Sequence, residues 1–350
     1  MDFGLPTIIR ESLSSLPFFI VIIMISIVIL VNGLGDTPNA IATCVSTRTL
    51  PPKKAIIISS IFLFIGMIIM TTFSLKVANT MIHLVTFQGE ENRIIIGIIG
   101  ALISIILWMI ITNKFAIPTS ESHAIIASLT GSFIAFYNSW NIINKEEWAK
   151  VLLGIFISIV AGFIVAYILT KIVETIGKEF DRRKTIKGFK AAQITGVAAM
   201  SFMHGGIVGQ KFIGLFMLAV VFMRGEQLTE ITTTPLWLIL YTTVLMTIGT
   251  IIGGYKVIKT VGMKMSNLEL YQGAISDIAT ALCLSIACLL GCPISTSHTK
   301  SLSIVGVSAT RRISSINFKI IKNVLLAGII TFPCCGIISY LITKILIGIL

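Results

Sequence analysis

Two short segments carry the same spacing of proline, hydroxyl and histidine residues. Pro118, Ser120, Ser122, His123 and Gly131 recur as Pro293, Ser295, Ser297, His298 and Gly306, at a constant offset of 175 residues. In each P-x-S-x-S-H copy, a proline without an amide donor precedes hydroxyl side chains able to cap a first helical turn, so each copy reads as a helix start. A helix start presents unpaired N–H groups and the positive end of the macrodipole, and both attract anions. Two such starts facing each other would direct backbone N–H groups and the hydroxyls of Thr119, Ser120, Ser122, Ser295, Thr296 and Ser297 at one tetrahedral oxyanion. His123 and His298 are placed either to donate to that anion or to pack behind it. One copy alone would be an ordinary capped kink. A matched pair in corresponding places of two halves is the pattern of a secondary transporter whose site lies near the membrane midplane.

A second group suits a cation. Asn32, Gly33, Gly35, Asp36, Thr37, Pro38 and Asn39 close the first apolar run. A carboxylate among apolar residues usually pairs with a cation or lines an ion path. Asp36 with Asn39, Asn32 and carbonyls freed near Pro38 would form an oxygen cage for a hard monovalent ion such as Na+; the bland alternative is a cap on a helix that ends at Pro38. Asp277, beside Ser276 and near Thr280, and Glu121, inside the first motif, are further candidates for cation ligand or proton carrier. Adjacent Ser and His also occur in nucleophilic catalysis. A hydrolase, however, needs one asymmetric nucleophile, base and oxyanion hole, and this chain duplicates the Ser-His segment. The six cysteines show no CxxC pairing and lie mostly in apolar stretches, so neither a disulfide nor a resident metal or cofactor is expected.

The elements that must position these residues are membrane helices. Of 350 residues, 55% are hydrophobic and 12% charged, against about 25% charged in a soluble domain. Apolar runs at 20–31, 56–70, 94–111, 151–170 and 236–252 approach the roughly 20 residues that a span requires. The first reads as a retained helix, because Asp2, Arg10 and Glu11 precede it where a signal peptide would carry a basic region. The formal charge of +12 is scattered over loops, without the single basic stripe of a nucleic-acid groove. Residues 171–190 hold seven Lys or Arg against Glu174, Glu179 and Asp181, which makes them a cytoplasmic linker by the positive-inside rule. Basic and non-basic loops alternate on either side. The result is an all-α polytopic membrane protein of the plasma membrane, with a first repeat at 1–170, the linker at 171–190 and a second repeat at 191–350. Five elements precede the linker and five follow, so the halves are inverted and both termini lie outside. Broken helices and re-entrant hairpins at the two motifs have the same parity, and charge does not separate them.

On these residues the chain resembles the inorganic phosphate transporter (PiT) family of cation-coupled symporters, from about Asn32 to the last helix. NGLGDTPNAIATCVSTRTLPPKKA is similar to the family's first signature and IPTSESHAIIASLTG to its first hairpin. SFMHGGIVGQKFIGLFML is similar to its second signature and CPISTSHTKSLSIVGVSATRRIS to its second hairpin. The resemblance implies inverted repeats with inorganic phosphate and coupling ions between them, embedded in lipid and usually as a homodimer. It places Asp36 and Asn39 at the ion site and the hairpin serines and threonines at the anion. One departure stands out: Ile207 and Val208 occupy the positions of an Asn-Asp pair that the family carries after His-Gly, here His204 and Gly205. Losing that carboxylate removes or weakens a cation site, and Lys300 and Lys211 are candidate substitutes for the missing ion's charge. The implied function is phosphate import with Na+ or H+; the oxygen-rich cage favours Na+ and the isolated acids H+. HPO4 keeps a proton that Glu121 could accept, whereas sulfate offers only acceptors. A sulfate or other oxyanion permease, and a non-transporting anion sensor, stay open as alternatives.

Overall fold

The computed structural model describes residues 3–86, 91–115, 119–225, 230–261, 268–311 and 318–349. Thirteen helices are placed among them: α1 (Leu5–Ser14), α2 (Leu16–Ser46), α3 (Pro52–Phe73), α4 (Lys76–Ile82), α5 (Glu91–Phe115), α6 (Glu121–Tyr137), α7 (Lys145–Phe156), α8 (Gly162–Gly177), α9 (Arg182–Arg224), α10 (Leu236–Val261), α11 (Leu270–Leu290), α12 (Thr296–Ala309) and α13 (Phe318–Ile349). A π-helical turn, Ile157–Ala161, joins α7 to α8, and no strand is formed among the described residues beyond one isolated bridge, Val85 to Ile143. Eight helical segments are long and apolar enough to cross a bilayer. Large side chains such as Ile329 (68% exposed) and Ile345 (60% exposed) face outward, as a lipid-facing surface requires.

The helices carrying the two motifs are shorter. α6 has 17 residues and α12 has 14, or about 26 Å and 21 Å at 1.5 Å per residue, against a hydrocarbon core of about 30 Å. Each packs against the longer helix before it, α5 against α6 and α11 against α12, and those longer helices are among the segments long enough to span.

Packing repeats across the chain. α2 lies on α10 while α3 lies on α9, and α6 lies on α13 while α12 lies on α8. The motif glycines make the last two contacts possible. A Cβ on Gly131 would overlap the Gly336 carbonyl oxygen of α13, and a Cβ on Gly306 would overlap the Phe163 carbonyl oxygen of α8. Both supporting helices are interrupted at positions 175 apart: the π-turn contains Ser158, and α13 contains Pro333. A π-turn changes the hydrogen-bond register, and an internal proline removes one donor and kinks the helix.

α9, 43 residues long, is the central helix, buried from Phe212 to Phe222 and carrying Gln193, His204, Gln210 and Lys211 at its buried positions. The basic stretch 171–190 forms the end of α8, a short turn, and the start of α9, where the Asp181 carboxylate accepts from the Arg183 amide at 2.9 Å. α2 does not end at Pro38 but continues to Ser46.

Candidate functional site

Ser120 and Ser295 cap the two hairpin helices in the same way. The Ser120 hydroxyl accepts from the His123 amide at 3.3 Å, and the Ser295 hydroxyl accepts from the His298 amide at 3.4 Å. Both serines have extended backbones, so the chain enters each helix abruptly and leaves first-turn N–H groups pointing out of its end. The two ends meet. Ser122 Oγ donates to the Ile294 carbonyl at 3.1 Å, and the rings of His123 and His298 stand edge to face with centroids 5.3 Å apart. Ser158, in the π-turn, accepts from the Ser295 amide at 3.1 Å and ties the second hairpin to its supporting helix.

Lys211 reaches this junction from α9. It is 3% exposed, and its ammonium donates to Ser122 Oγ and, at 2.8 Å, to the Ile294 carbonyl. A buried positive charge therefore lies between two helix N-termini, where the fields of both macrodipoles add to it. Thr296 is buried at the start of α12, Ser297 and Thr119 are half-buried beside the caps, and Glu121 is half-buried in the first turn of α6. The two ring nitrogens of His123 have no hydrogen-bond partner among the described residues, and the ring lies 4.6 Å from that of Phe332. His298 packs against Gly328 of α13. The arrangement can hold a small oxyanion by donors and fixed charge.

A second polar cluster lies one and a half turns further along α12. The Lys300 ammonium donates to Asp277 Oδ1 of α11. Thr43 Oγ1 of α2 donates to both carboxylate oxygens, at 2.8 and 3.0 Å, and Gln193 Nε2 of α9 donates at 3.2 Å. All four side chains are buried. Asp277, a candidate ligand for a mobile cation on sequence grounds, is thus paired with the chain's own lysine. Such a pair is tolerated inside a membrane protein because each charge neutralises the other and the remaining lone pairs find donors.

The first candidate cation group is seen only in part. Asn32 is buried on α2, and its Oδ1 has no hydrogen-bond partner among the described residues. The side chains of Asp36, Thr37, Pro38 and Asn39 lie outside the described residues, as does Pro118. Ile207 and Val208 are buried in apolar packing, Ile207 with Cys283, Leu284 and Cys288. Among the described residues no group of three or more His, Cys, Asp or Glu side chains is gathered for a metal. Thr43, Gln193 and Ser158 are polar residues at these clusters that sequence reasoning passed over; the one signal for Ser158 was its offset of 175 from Pro333.

Residues 32–339 match the model of the phosphate transporter family. A probable low-affinity inorganic phosphate transporter of Bacillus subtilis (strain 168) is 33% identical over 319 residues, covering 90% of this chain and 94% of the relative. A protein of the same description from Rhizobium meliloti (strain 1021) is 33% identical over 310 residues, covering 89% and 90%. Among solved structures, one titled "The sodium-dependent phosphate transporter" superposes with a TM-score of 0.85 over 96% of this chain and 100% of its own, at 21% identity. At that identity the likeness establishes the fold.

Proposed function

The chain belongs to the phosphate transporter family, and on that premise we propose that it imports inorganic phosphate across the plasma membrane in symport with a cation, Na+ in preference to H+, by alternating access around the site between the hairpin tips. The observation that carries this reading is the position of Lys211. Its ammonium, the Ser122 hydroxyl and the two capped helix ends converge where the starts of α6 and α12 meet. Phosphate entering there would take the Lys211 donor now held by the Ile294 carbonyl, and with it Ser120, Ser122, Ser295, Thr296, Ser297 and Thr119. Glu121 offers an acceptor for the proton that HPO4 retains and sulfate lacks. The reaction is translocation; no bond is made or broken, and the protein is a transporter rather than an enzyme.

Two halves related by inversion, here 1–170 and 191–350 about the basic junction, give alternating access its two equivalent arrangements. The exchanged packing of α2 on α10 and α3 on α9, and of α6 on α13 and α12 on α8, supports that relation. So does the direction of the hairpins. The C-terminal end of α6 lies with that of α13, where Lys344 Nζ donates to Asn138 Oδ1 at 3.3 Å, while the end of α12 lies with that of α8, where Lys171 Nζ donates to the Thr310 carbonyl at 2.9 Å. The cation group Asn32, Asp36 and Asn39 supplies the coupling ion's site in the first half. Counterflow tests the reading: liposomes loaded with unlabelled phosphate should accumulate labelled phosphate, and external phosphate but not sulfate should abolish the accumulation. Sulfate competing equally would move the chain to a general oxyanion permease, and absent counterflow would leave an anion sensor.

A further inference from the structure

Lys300 stands where a mobile cation would have to stand. We propose that its ammonium is a tethered counter-ion, filling a monovalent-cation position in the second half of the chain so that this position takes no ion during transport. The proposal rests on the transport reading above and adds to it that the second half contributes no coupling ion.

The surroundings of the ammonium are those of a hard cation. The ammonium donates to Asp277 Oδ1 and, at 3.3 Å, to Thr43 Oγ1, whose own hydroxyl donates to both oxygens of the same carboxylate. Asp277, Thr43 and Gln193 are fully buried and Lys300 is 1% exposed, so the carboxylate's charge has to be balanced locally and without water. The four groups come from α2, α9, α11 and α12, which makes the cluster a junction between α12 and the helices around it. The offset of 175 that relates the two motifs takes Asp277 to Leu102 and Lys300 to Ile125, both apolar and buried. The charge pair therefore belongs to the second half alone and is not a general requirement of hairpin packing. No other described carboxylate of that half is available to a transported ion. Glu230 is exposed, Glu269 pairs with Arg311 at 3.2 Å at the start of α11, and Ile207 and Val208 are apolar and buried. An ammonium on a covalent stem moves with α12 but does not leave, so it neutralises Asp277 in every state of the cycle. A free Na+ in its place would have to be released on each turn.

Lys300→Ala tests this, because it removes the atoms of a propylammonium ion and leaves Asp277 in an open cage. The purified variant should gain thermal stability with Na+ and with propylammonium, rising with the logarithm of concentration as for a bound ligand, and should not respond to the bulkier tetramethylammonium. In proteoliposomes its phosphate uptake should fall at least about tenfold without these cations, as expected when a buried pair is broken. Uptake should return with them, with a steeper dependence on Na+ than in the wild type. Lys300→Ala combined with Asp277→Asn should lose both cation responses. Cation dependence identical to the wild type, or a Lys300→Ala chain that no cation recovers, would overturn the proposal and make the pair purely structural. Should the wild type move no phosphate, the transport reading fails, while the stability measurement still reports whether the cage binds a cation.

Discussion

Replacing Lys211 by methionine removes the ammonium placed at the hairpin junction while keeping an unbranched apolar stem. At the roughly 4 Å separation of an ammonium and an oxyanion, the attraction is about 4 kcal/mol at an effective dielectric constant near 20. Some of this is offset, because Lys211 must release the Ile294 carbonyl and the anion must shed water, so a net loss of about 2–4 kcal/mol is expected. That corresponds to phosphate binding about 30 to 1,000 times weaker. The fold should survive, since the Ile294 carbonyl keeps the Ser122 hydroxyl as donor. Binding of radiolabelled phosphate to the purified protein at fixed Na+ measures the effect, with gel filtration and a melting curve reporting the fold. At 3% exposure Lys211 is shielded from counter-ions, so wild-type affinity should change little with ionic strength at constant Na+. Lys211→Met binding phosphate within about twofold of the wild type, with an intact fold, would refute the reasoning and place the anion elsewhere.

Gly131→Ala and Gly306→Ala should each destabilise the protein by about 1–3 kcal/mol or more, because the added methyl meets a backbone carbonyl that cannot swing away. Gly348→Ala, with open space around it, is the control, and melting temperatures in detergent compare the three. Ser295→Ala removes the cap of α12 and should cost about 1 kcal/mol of stability; phosphate affinity should fall with it, whereas a cap that served folding alone would leave affinity unchanged. Lys178→Cys, at the exposed turn between α8 and α9, should react with a membrane-impermeant maleimide in inside-out vesicles and not in intact cells. Labelling of intact cells would reverse the orientation.

The parts of the site that were legible in the sequence are those written as local punctuation. Pro and Ser mark where a helix begins, so the P-x-S-x-S-H motifs announced the caps at Ser120 and Ser295, whereas the matched glycines gave no sign of the close crossings at Gly131 and Gly306. Apolar runs announced the membrane helices in the same local way. Relations across long sequence separations were not legible. Lys211 and Ser122 are 89 residues apart, and nothing near either residue says that they meet. Asp277 read as an isolated acid because its partner, 23 residues on, is carried by the next helix and faces back. A helix ending at Pro38 was the bland alternative to a cation cage, and α2 continues past it, the packing of α2 on α10 outweighing one lost hydrogen bond. The basic segment 171–190 looked like a loop, and only its middle is one: Lys and Arg mark sidedness irrespective of whether the backbone is helical.

Accumulation of radiolabelled phosphate in proteoliposomes, with Na+ and pH gradients imposed separately and sulfate as competitor, tests the central claim most directly. The account expects uptake that follows an inward Na+ gradient, resists sulfate, and is lost in Ser122→Ala and Asp36→Asn. Sulfate accumulating in place of phosphate, or neither anion moving under either gradient, would contradict it.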